Sequence, residues 1–294
     1  MSDIVRKRKA IIMALTDFVG VGSKTFQQLL ITFGPPESLM DATYDDFESI
    51  PRLRDKGARL MMEALESLEE YEDKLNRYSE QGISMLSFFD DEYPESLRQI
   101  DSPPPAVYVK GNIDALKSKF IAIVGTTQPS QTGLSLAVDF SREFVKRGYG
   151  IVSGLAKGID SAAHLGALKE SGVTIGVLGS GIMRVFPDEN IPLAENILKK
   201  GLLISEQNPY RRVRAAGLIL RNRIIAGLAK AVVVAQVGVK RRGELRTVQY
   251  SFKQAKPAFF ADPENDLDRE TLGRFGVVID NDVNSVDMII SQIL

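Results

Sequence analysis

The chain has 294 residues, 44% of them apolar, which is enough to bury the core of one large domain or of two ordinary ones. It contains no cysteine, which excludes a disulfide framework and a cysteine zinc site. The basic start Met1–Lys9 lacks the apolar block of a signal peptide, and no apolar run approaches the roughly 20 residues of a membrane span. We therefore expect a cytoplasmic protein that does not bind membranes.

Residues 1–82 are predicted to form a small all-α domain of helix-hairpin-helix or SAM-like type, because no strand pattern interrupts them. Its predicted helices are Ile4–Leu15, Ser23–Phe33 and a long charged helix over Asp55–Gln81. Glycines 20 and 22 make a tight turn in which Ser23 is expected to cap the next helix and backbone N–H groups can face a phosphate. The alternative is a hairpin that only packs, and 15 acidic against 11 basic residues favour a partner or packing role.

Residues 83–294 are predicted to form a second domain of α/β class, because short β-rich runs alternate with helices as in a parallel wound sheet. The predicted strands are Ser84–Phe88, Val107–Val109, Phe120–Gly125, Gly150–Ser153, Thr174–Leu178, Leu202–Ser205, Ala231–Ala235, Pro257–Ala261 and Val277–Ile279. The predicted helices are Thr132–Arg147, Asp160–Ser171, Asn190–Lys200, Ala215–Leu228 and Leu245–Ala255.

A first loop that can bind an anion follows the strand at 120–125. Gly125, Thr126 and Thr127 lead from this strand into a helix, and the carboxyl edge of a wound sheet attracts anions at such places. The loop is neither the glycine pattern of dinucleotide-binding proteins nor a Walker loop, so dinucleotide binding and ATP hydrolysis are poorly supported. The alternative is a plain strand-to-helix turn.

A second loop of this kind contains Ser153, Gly154 and Lys157. Gly154 permits close backbone approach, and Lys157 can meet a phosphate from the loop. A third small-residue loop, Gly179–Gly181, follows the next strand. Three such loops at successive strand ends predict a crevice.

The strongest signal is a basic segment, residues 199–256, in which 14 basic side chains face two acids. Its local charge of +12 leaves −13 on the rest of a chain whose net charge is −1. Arginine makes planar, bidentate phosphate contacts, and a set of arginines without balancing acids favours an anionic partner over a merely solvated face. The side chains predicted to contact phosphate are Arg211, Arg212, Arg214, Arg221, Arg223, Lys240, Arg241 and Arg242.

Catalytic candidates are few. The single histidine, His164, lies on a small-residue helix face and is expected to be structural rather than a general base. The acidic run 90–92 has no histidine or spaced third carboxylate, so it does not indicate a metal site. We expect no enzymatic activity, no metal and no cofactor.

These motifs together resemble the bacterial DprA (Smf) family of DNA-processing proteins over nearly the whole chain. The residues that carry the resemblance are Gly20–Gly22, Asp91–Leu97, Pro104–Gly111, Ile123–Thr126, Ser153–Asp160, Ala163–His164, Val177–Gly181, Ser205–Glu206 and Arg221–Leu228. The resemblance implies an extended Rossmann-like domain that binds single-stranded DNA, forms a homodimer and helps to load a RecA-type recombinase in natural transformation. The pocket that it implies comprises the backbone of Gly125 and Thr126, then Ser153, Gly154, Lys157, Arg221, Asn222 and Arg223.

The chain also departs from the family pattern. The family usually has arginine where this chain has Thr127, and phenylalanine where it has Leu218, so one cation and one base-stacking ring are replaced. Arg211, Arg212, Arg241 and Arg242 are available to replace the cation, and no winged-helix tail is expected after Leu294. Two other classes of function stay open: a nucleotide sensor or nucleotide-processing enzyme that uses the crevice, and an adaptor in a DNA repair or defence assembly.

Overall fold

The fold is described from a computed structural model that covers residues 2–238, 243–261 and 272–293. The chain divides into two compact units. One comprises Met1–Tyr93 and Ser102–Tyr108, and the other comprises Pro94–Asp101 and Val109–Leu294. Among the described helices, none has the length and apolarity that a membrane span requires.

The first unit is built from helices, as the sequence predicts. Its α-helices are α1 (Asp3–Ala14), α2 (Ser23–Phe33), α3 (Tyr44–Glu48), α4 (Arg54–Glu66) and α5 (Leu68–Glu80), and α1 continues into a π-helical turn, Leu15–Val19. The predicted long helix 55–81 is thus two helices that meet at Ser67. Its hydroxyl donates to the Glu63 carbonyl at 3.0 Å, a back-bond of the kind that perturbs helices at serine.

The turn between α1 and α2 uses its two glycines differently from the expectation. Gly20 has φ +78°, the left-handed conformation that ends a helix. Gly22 is the N-cap of α2, and its carbonyl accepts the first helical bond, from the Phe26 N–H at 2.9 Å. Ser23 is therefore the first residue of the helix, and the prediction that it caps α2 was wrong.

A strand, β1 (Ile83–Ser87), also belongs to the first unit. Lys9 links α1 to this strand. Its ammonium donates to the Met85 carbonyl at 2.8 Å and lies 2.8 Å from Asp90 Oδ2. The predicted domain boundary lies between residues 82 and 83. In the structure, residues 83–93 and 102–108 belong to the same compact unit as the helices.

The second unit, which we call the sheet unit, contains a parallel sheet with helices between its strands. The predicted α/β class is confirmed. Its strands are β2 (Ala106–Gly111, shared with the first unit), β3 (Phe120–Gly125), β4 (Gly150–Ser153), β5 (Thr174–Leu178), β6 (Leu202–Ser205), β7 (Ala229–Gln236), β8 (Ala258–Phe260) and β9 (Val277–Val278). Its helices are α6 (Glu95–Arg98), α7 (Gln131–Lys146), α8 (Ile159–Lys169), α9 (Ile191–Ile197), α10 (Ala215–Leu220), α11 (Asn222–Leu228), α12 (Glu244–Lys253) and α13 (Ser285–Ser291).

The strand order places the candidate loops at one edge of this sheet. From β6 to β9 the order is β6-β5-β4-β3-β7-β8-β9, and every neighbouring pair is parallel. The chain winds outward from β3 through β4, β5 and β6, and then returns to the other side of β3 with β7. The switch point therefore lies between β3 and β7, where wound sheets usually bind ligands at the carboxyl ends of their strands.

The predictions of strands β3 to β6 succeeded because these strands are buried on both faces and are almost continuously apolar. Phe140 and Phe144 of α7 pack with Ile121, Ile151 and Val233 from three neighbouring strands, and all five side chains are fully buried. The predicted helix 215–228, by contrast, is two helices, α10 and α11, which meet at Arg221.

Candidate nucleic-acid interface

The loop after β3 is organised by a glutamine at the end of β7. The Thr126 N–H donates to the Gln236 carbonyl at 3.0 Å, and the Ser130 N–H donates to the side-chain oxygen of Gln236 at 2.9 Å. Thr127 is exposed at the turn, whereas Gly125 and Thr126 are half-buried. The predicted residues 125–127 thus lie at the carboxyl edge of the sheet, beside the switch point between β3 and β7.

The loop after β4 directs its own donors inward. The N–H groups of Gly154 and Ala156 donate to Asp160 Oδ2 at 3.1 and 3.4 Å. Ser153 is fully buried, and its hydroxyl donates to the Ile123 carbonyl at 2.6 Å. The carboxylate of Asp160 therefore accepts two N–H groups of this loop.

Lys157 is the exposed cation of the same loop. Its ammonium forms an ion pair with the carboxylate of Glu189, and each of the two side chains is 54% exposed. Asn190, next to that acid, donates from Nδ2 to the Leu155 carbonyl at 2.9 Å and so fastens the acidic segment to the loop. The predicted phosphate contact of Lys157 thus has an acidic neighbour, Glu189.

Arg221 fills the space beneath the β4 loop. Its Nη1 group donates to the Gly154 carbonyl and, at 2.5 Å, to the Val177 carbonyl, while Nη2 lies 3.7 Å from Asp160 Oδ2. A Cβ atom on residue 154 would lie 2.0 Å from Nη1, so the arginine in its present position leaves no room for a side chain there. With only 9% exposure, Arg221 clamps the ends of β4 and β5 together from within.

The other members of the Arg-Asn-Arg motif are buried as well. Arg223 is 6% exposed and its Nη2 lies 2.5 Å from Glu206 Oε1, while Asn222 donates from Nδ2 to the Gly243 carbonyl at 3.4 Å. The predicted DNA contacts of Arg221, Asn222 and Arg223 stay predictions, and the structure shows these three side chains almost fully buried. The physical reason is that Asp160 and Glu206 supply the opposite charges without which burying an arginine is costly.

His164 belongs to the same interior. It is fully buried, and its Nδ1 lies 2.7 Å from Thr174 Oγ1, whose hydroxyl donates to the Ile151 carbonyl at 2.9 Å. The imidazole therefore donates from Nδ1. Burial, aided by the charge of Arg221, lowers the pKa of His164 to about 3, whereas burial raises the pKa of Asp160 against the attraction of Arg221. The histidine is uncharged at neutral pH, as expected of a structural imidazole.

An exposed basic segment follows β6, and we call residues 206–214 the arginine loop. It carries three exposed arginines, Arg211, Arg212 and Arg214. Its acid, Glu206, faces the buried Arg223. Strand β6 lies three strands from β3, or roughly 14 Å at about 4.8 Å per strand, so the loop and residues 125–127 occupy different parts of one edge.

The third predicted loop, Gly179–Gly181, does not line an open crevice. A Cβ on Gly179 would lie 2.8 Å from the Leu218 backbone, and one on Gly181 would lie 2.2 Å from the Asn208 carbonyl oxygen. These glycines therefore allow the arginine loop and α10 to pack across the end of β5. The remaining predicted cations, Lys240, Arg241 and Arg242, lie outside the described residues.

The parallel order of the strands and the loops at their carboxyl edge define a Rossmann-like protein. A family model described as DNA recombination-mediator protein A matches residues 84–279, and the chain belongs to this family. The DNA processing protein DprA of Bacillus subtilis is 34% identical over 236 residues, which cover 79% of this chain and 78% of that protein. The chain spans about half to two thirds of the length of further curated relatives that it matches.

Solved structures agree with this assignment. The X-ray structure of DNA processing protein A from Streptococcus pneumoniae has a TM-score of 0.76 and 27% identity, and the match covers 97% of this chain and 96% of that one. A structure of DNA processing protein A from Helicobacter pylori, reported for its single-stranded DNA binding mode, has a TM-score of 0.62 and covers 72% of this chain and 97% of that one. At 24% identity, this second likeness shows the fold alone.

Proposed function

We propose that the protein binds single-stranded DNA without regard to sequence, as a non-enzymatic member of its family. The observation that carries this proposal is the arginine loop, in which Arg211, Arg212 and Arg214 are exposed at the carboxyl edge of the sheet. The family membership and the single-stranded DNA binding of the Helicobacter pylori relative support the choice of ligand.

The chemistry of the arginine loop suits a phosphate backbone. A guanidinium group stays charged and offers paired N–H donors that match two phosphate oxygens. Three such groups within four residues, beside an acid that is occupied elsewhere, leave a local positive field that an anionic polymer can neutralise. Because these contacts reach phosphates and not base edges, the binding is independent of sequence.

We propose that the protein forms a homodimer through the sheet unit and presents DNA to a RecA-type recombinase in the cytoplasm during natural transformation. Light scattering of the purified chain tests the dimer. Faster assembly of recombinase filaments on single-stranded DNA in its presence tests the presentation step.

A salt-titrated binding assay tests the central claim. The apparent affinity for single-stranded DNA should fall with the logarithm of the salt concentration, with a slope of about −0.7 for each phosphate neutralised. The triple variant R211A/R212A/R214A should bind more weakly and reduce the slope by about 2. The matched control K117A/K119A/K169A removes three exposed charges that lie outside residues 199–256 and should keep the native slope.

Three outcomes would overturn the proposal. An affinity that does not change with salt concentration would show that phosphate contacts do not contribute to binding. Tighter binding of mononucleotides than of DNA would favour a nucleotide sensor or a nucleotide-processing enzyme. Native DNA affinity in R211A/R212A/R214A would show that the arginine loop is not the binding surface.

A further inference from the structure

An exposed aromatic ring lies next to the three arginines. Tyr210 directly precedes Arg211, and 42% of its surface is exposed. Its N–H donates to Asn208 Oδ1 at 3.1 Å, and the Arg211 N–H donates to the Asn208 carbonyl at 2.9 Å, so a tight turn presents the ring. A tyrosine in this position combines a flat apolar face with a charged border.

The backbone on both sides of Tyr210 is fixed to the loop after β5. The Pro209 carbonyl accepts from the Met183 N–H, and the Arg211 carbonyl accepts from the Gly181 N–H, each at 2.8 Å. These two bonds hold the residues immediately before and after the tyrosine. The ring therefore projects from an ordered backbone, which lowers the entropy lost when a ligand settles on it.

Met183 brings a second apolar side chain close to the same turn. It is 38% exposed, and its sulfur lies 3.7 Å from the ammonium of Lys110. The segment around Tyr210 thus includes an aromatic ring and neighbouring arginines, and its backbone is bonded to that of Met183, whose thioether contacts Lys110. Aromatic rings beside cations are the usual composition of a platform for single-stranded nucleic acid.

We propose that Tyr210, supported by Met183, is a stacking platform for an unpaired base, while Arg211, Arg212 and Arg214 hold the neighbouring phosphates. This inference rests on the proposed function and adds to it the source of single-strand selectivity. Phosphate contacts alone are available to duplex and single strand alike. A base can lie on Tyr210 only when it is unpaired, and every base has a face that can stack, so selectivity arises without sequence readout.

Binding assays with and without bases test this inference. The probes are an oligothymidylate of about 15 nucleotides and a strand of equal length made of abasic deoxyribose phosphates. Loss of one stacked base corresponds to about 1 to 3 kcal/mol, so Y210A should weaken thymidylate binding roughly 5- to 150-fold. Binding of the abasic strand should be unchanged in Y210A, and Y210F should behave as the native protein with both probes.

A control variant and the possible negative results distinguish the stacking role of Tyr210 from the proposed binding of single-stranded DNA. F252A removes another exposed aromatic side chain, 58% exposed on α12, and should leave thymidylate binding unchanged. Equal weakening of both probes by Y210A, or no weakening of either, would overturn the stacking role. Failure of the native protein to bind thymidylate at all would instead overturn the proposed function.

Photocrosslinking of the native chain provides a second measurement that needs no substitution. An oligonucleotide with one 5-iodouracil should crosslink at Tyr210, as mapped by mass spectrometry of the digested complex. Crosslinks confined to peptides other than the one containing Tyr210 would overturn the inference. A folding defect in Y210A cannot produce that result.

Discussion

Asp160 and Arg221 meet in the interior of the sheet unit, with Oδ2 and Nη2 3.7 Å apart and side chains 7% and 9% exposed. The aspartate lies in the first turn of α8, and the arginine separates α10 from α11. Their pairing joins the loop after β4 to the helix pair that follows the arginine loop. The same carboxylate accepts the loop's N–H groups, so one acid holds two segments in place.

Removing the arginine should therefore destabilise the protein strongly. Arg221→Met leaves Asp160 buried without its counter-charge and removes the donor to two carbonyls, and we expect a loss of about 3 to 5 kcal/mol in the free energy of unfolding. Urea unfolding followed by circular dichroism measures it. The exposed Arg211→Met should change stability by less than about 0.5 kcal/mol. A loss below about 1 kcal/mol in Arg221→Met would show that the buried pair is not important for folding.

The glycine that contacts this arginine gives an independent test. Gly154→Ala places a Cβ about 2 Å from the Arg221 guanidinium and should force it out of its site, which costs on the order of 2 kcal/mol or more. Gly243→Ala, where a Cβ meets nothing within 4 Å, is the matched control and should be close to neutral. Thermal unfolding measures both variants, and equal melting temperatures would contradict the packing described for Arg221.

The buried histidine should make stability depend on pH. Its pKa of about 3 in the folded protein lies below the unfolded value of about 6.5, so the unfolded chain binds more protons between these values. Stability should therefore fall as the pH falls below about 6.5, by about 1.4 kcal/mol between pH 7.5 and pH 5.5.

The chain has one histidine, so His164→Gln isolates this effect. Urea unfolding of the variant at the two pH values should show a smaller difference than the native protein. An equal difference in both proteins would mean that other groups cause the pH dependence.

The ion pair of Lys157 with Glu189 should limit DNA binding. Glu189→Gln frees the ammonium for a phosphate and removes a negative charge, so affinity for single-stranded DNA at low salt should rise roughly two- to tenfold and the salt slope should steepen by about 0.7. Fluorescence anisotropy with a labelled oligonucleotide measures both quantities. Glu195→Gln removes an exposed acid on α9 and serves as the control. The same gain in both variants would indicate a general effect of net charge rather than a role for Lys157.

The sequence predicted the sheet well because its strands leave a strong signal. Phe120–Gly125 and Thr174–Leu178 are short apolar runs bounded by polar or glycine residues, and both agree with the observed strands. Helix ends were also close, since Ser130 caps α7 as such residues do. These features depend on neighbouring residues, which a sequence displays directly.

The burial of Arg221 and Arg223 could not be predicted from their neighbours. Both stand in a segment of strong positive charge, and the partner of Arg221, Asp160, comes from a distant part of the chain. Glu206 did offer a signal, because it is one of only two acids in residues 199–256 and it pairs with Arg223. Local charge locates the basic segment in the sequence, but only tertiary contacts separate its buried arginines from its exposed ones.

The main-chain bonds from Gly181 and Met183 to the arginine loop also bear on how the protein can diverge. They fix the path of the loop without using the side chains of Arg212 or Arg214. Exposed loop positions of this kind tolerate replacement with little effect on folding. Single substitutions at these positions can therefore raise or lower the affinity of the proposed DNA contact, while the sheet that carries the loop stays the same.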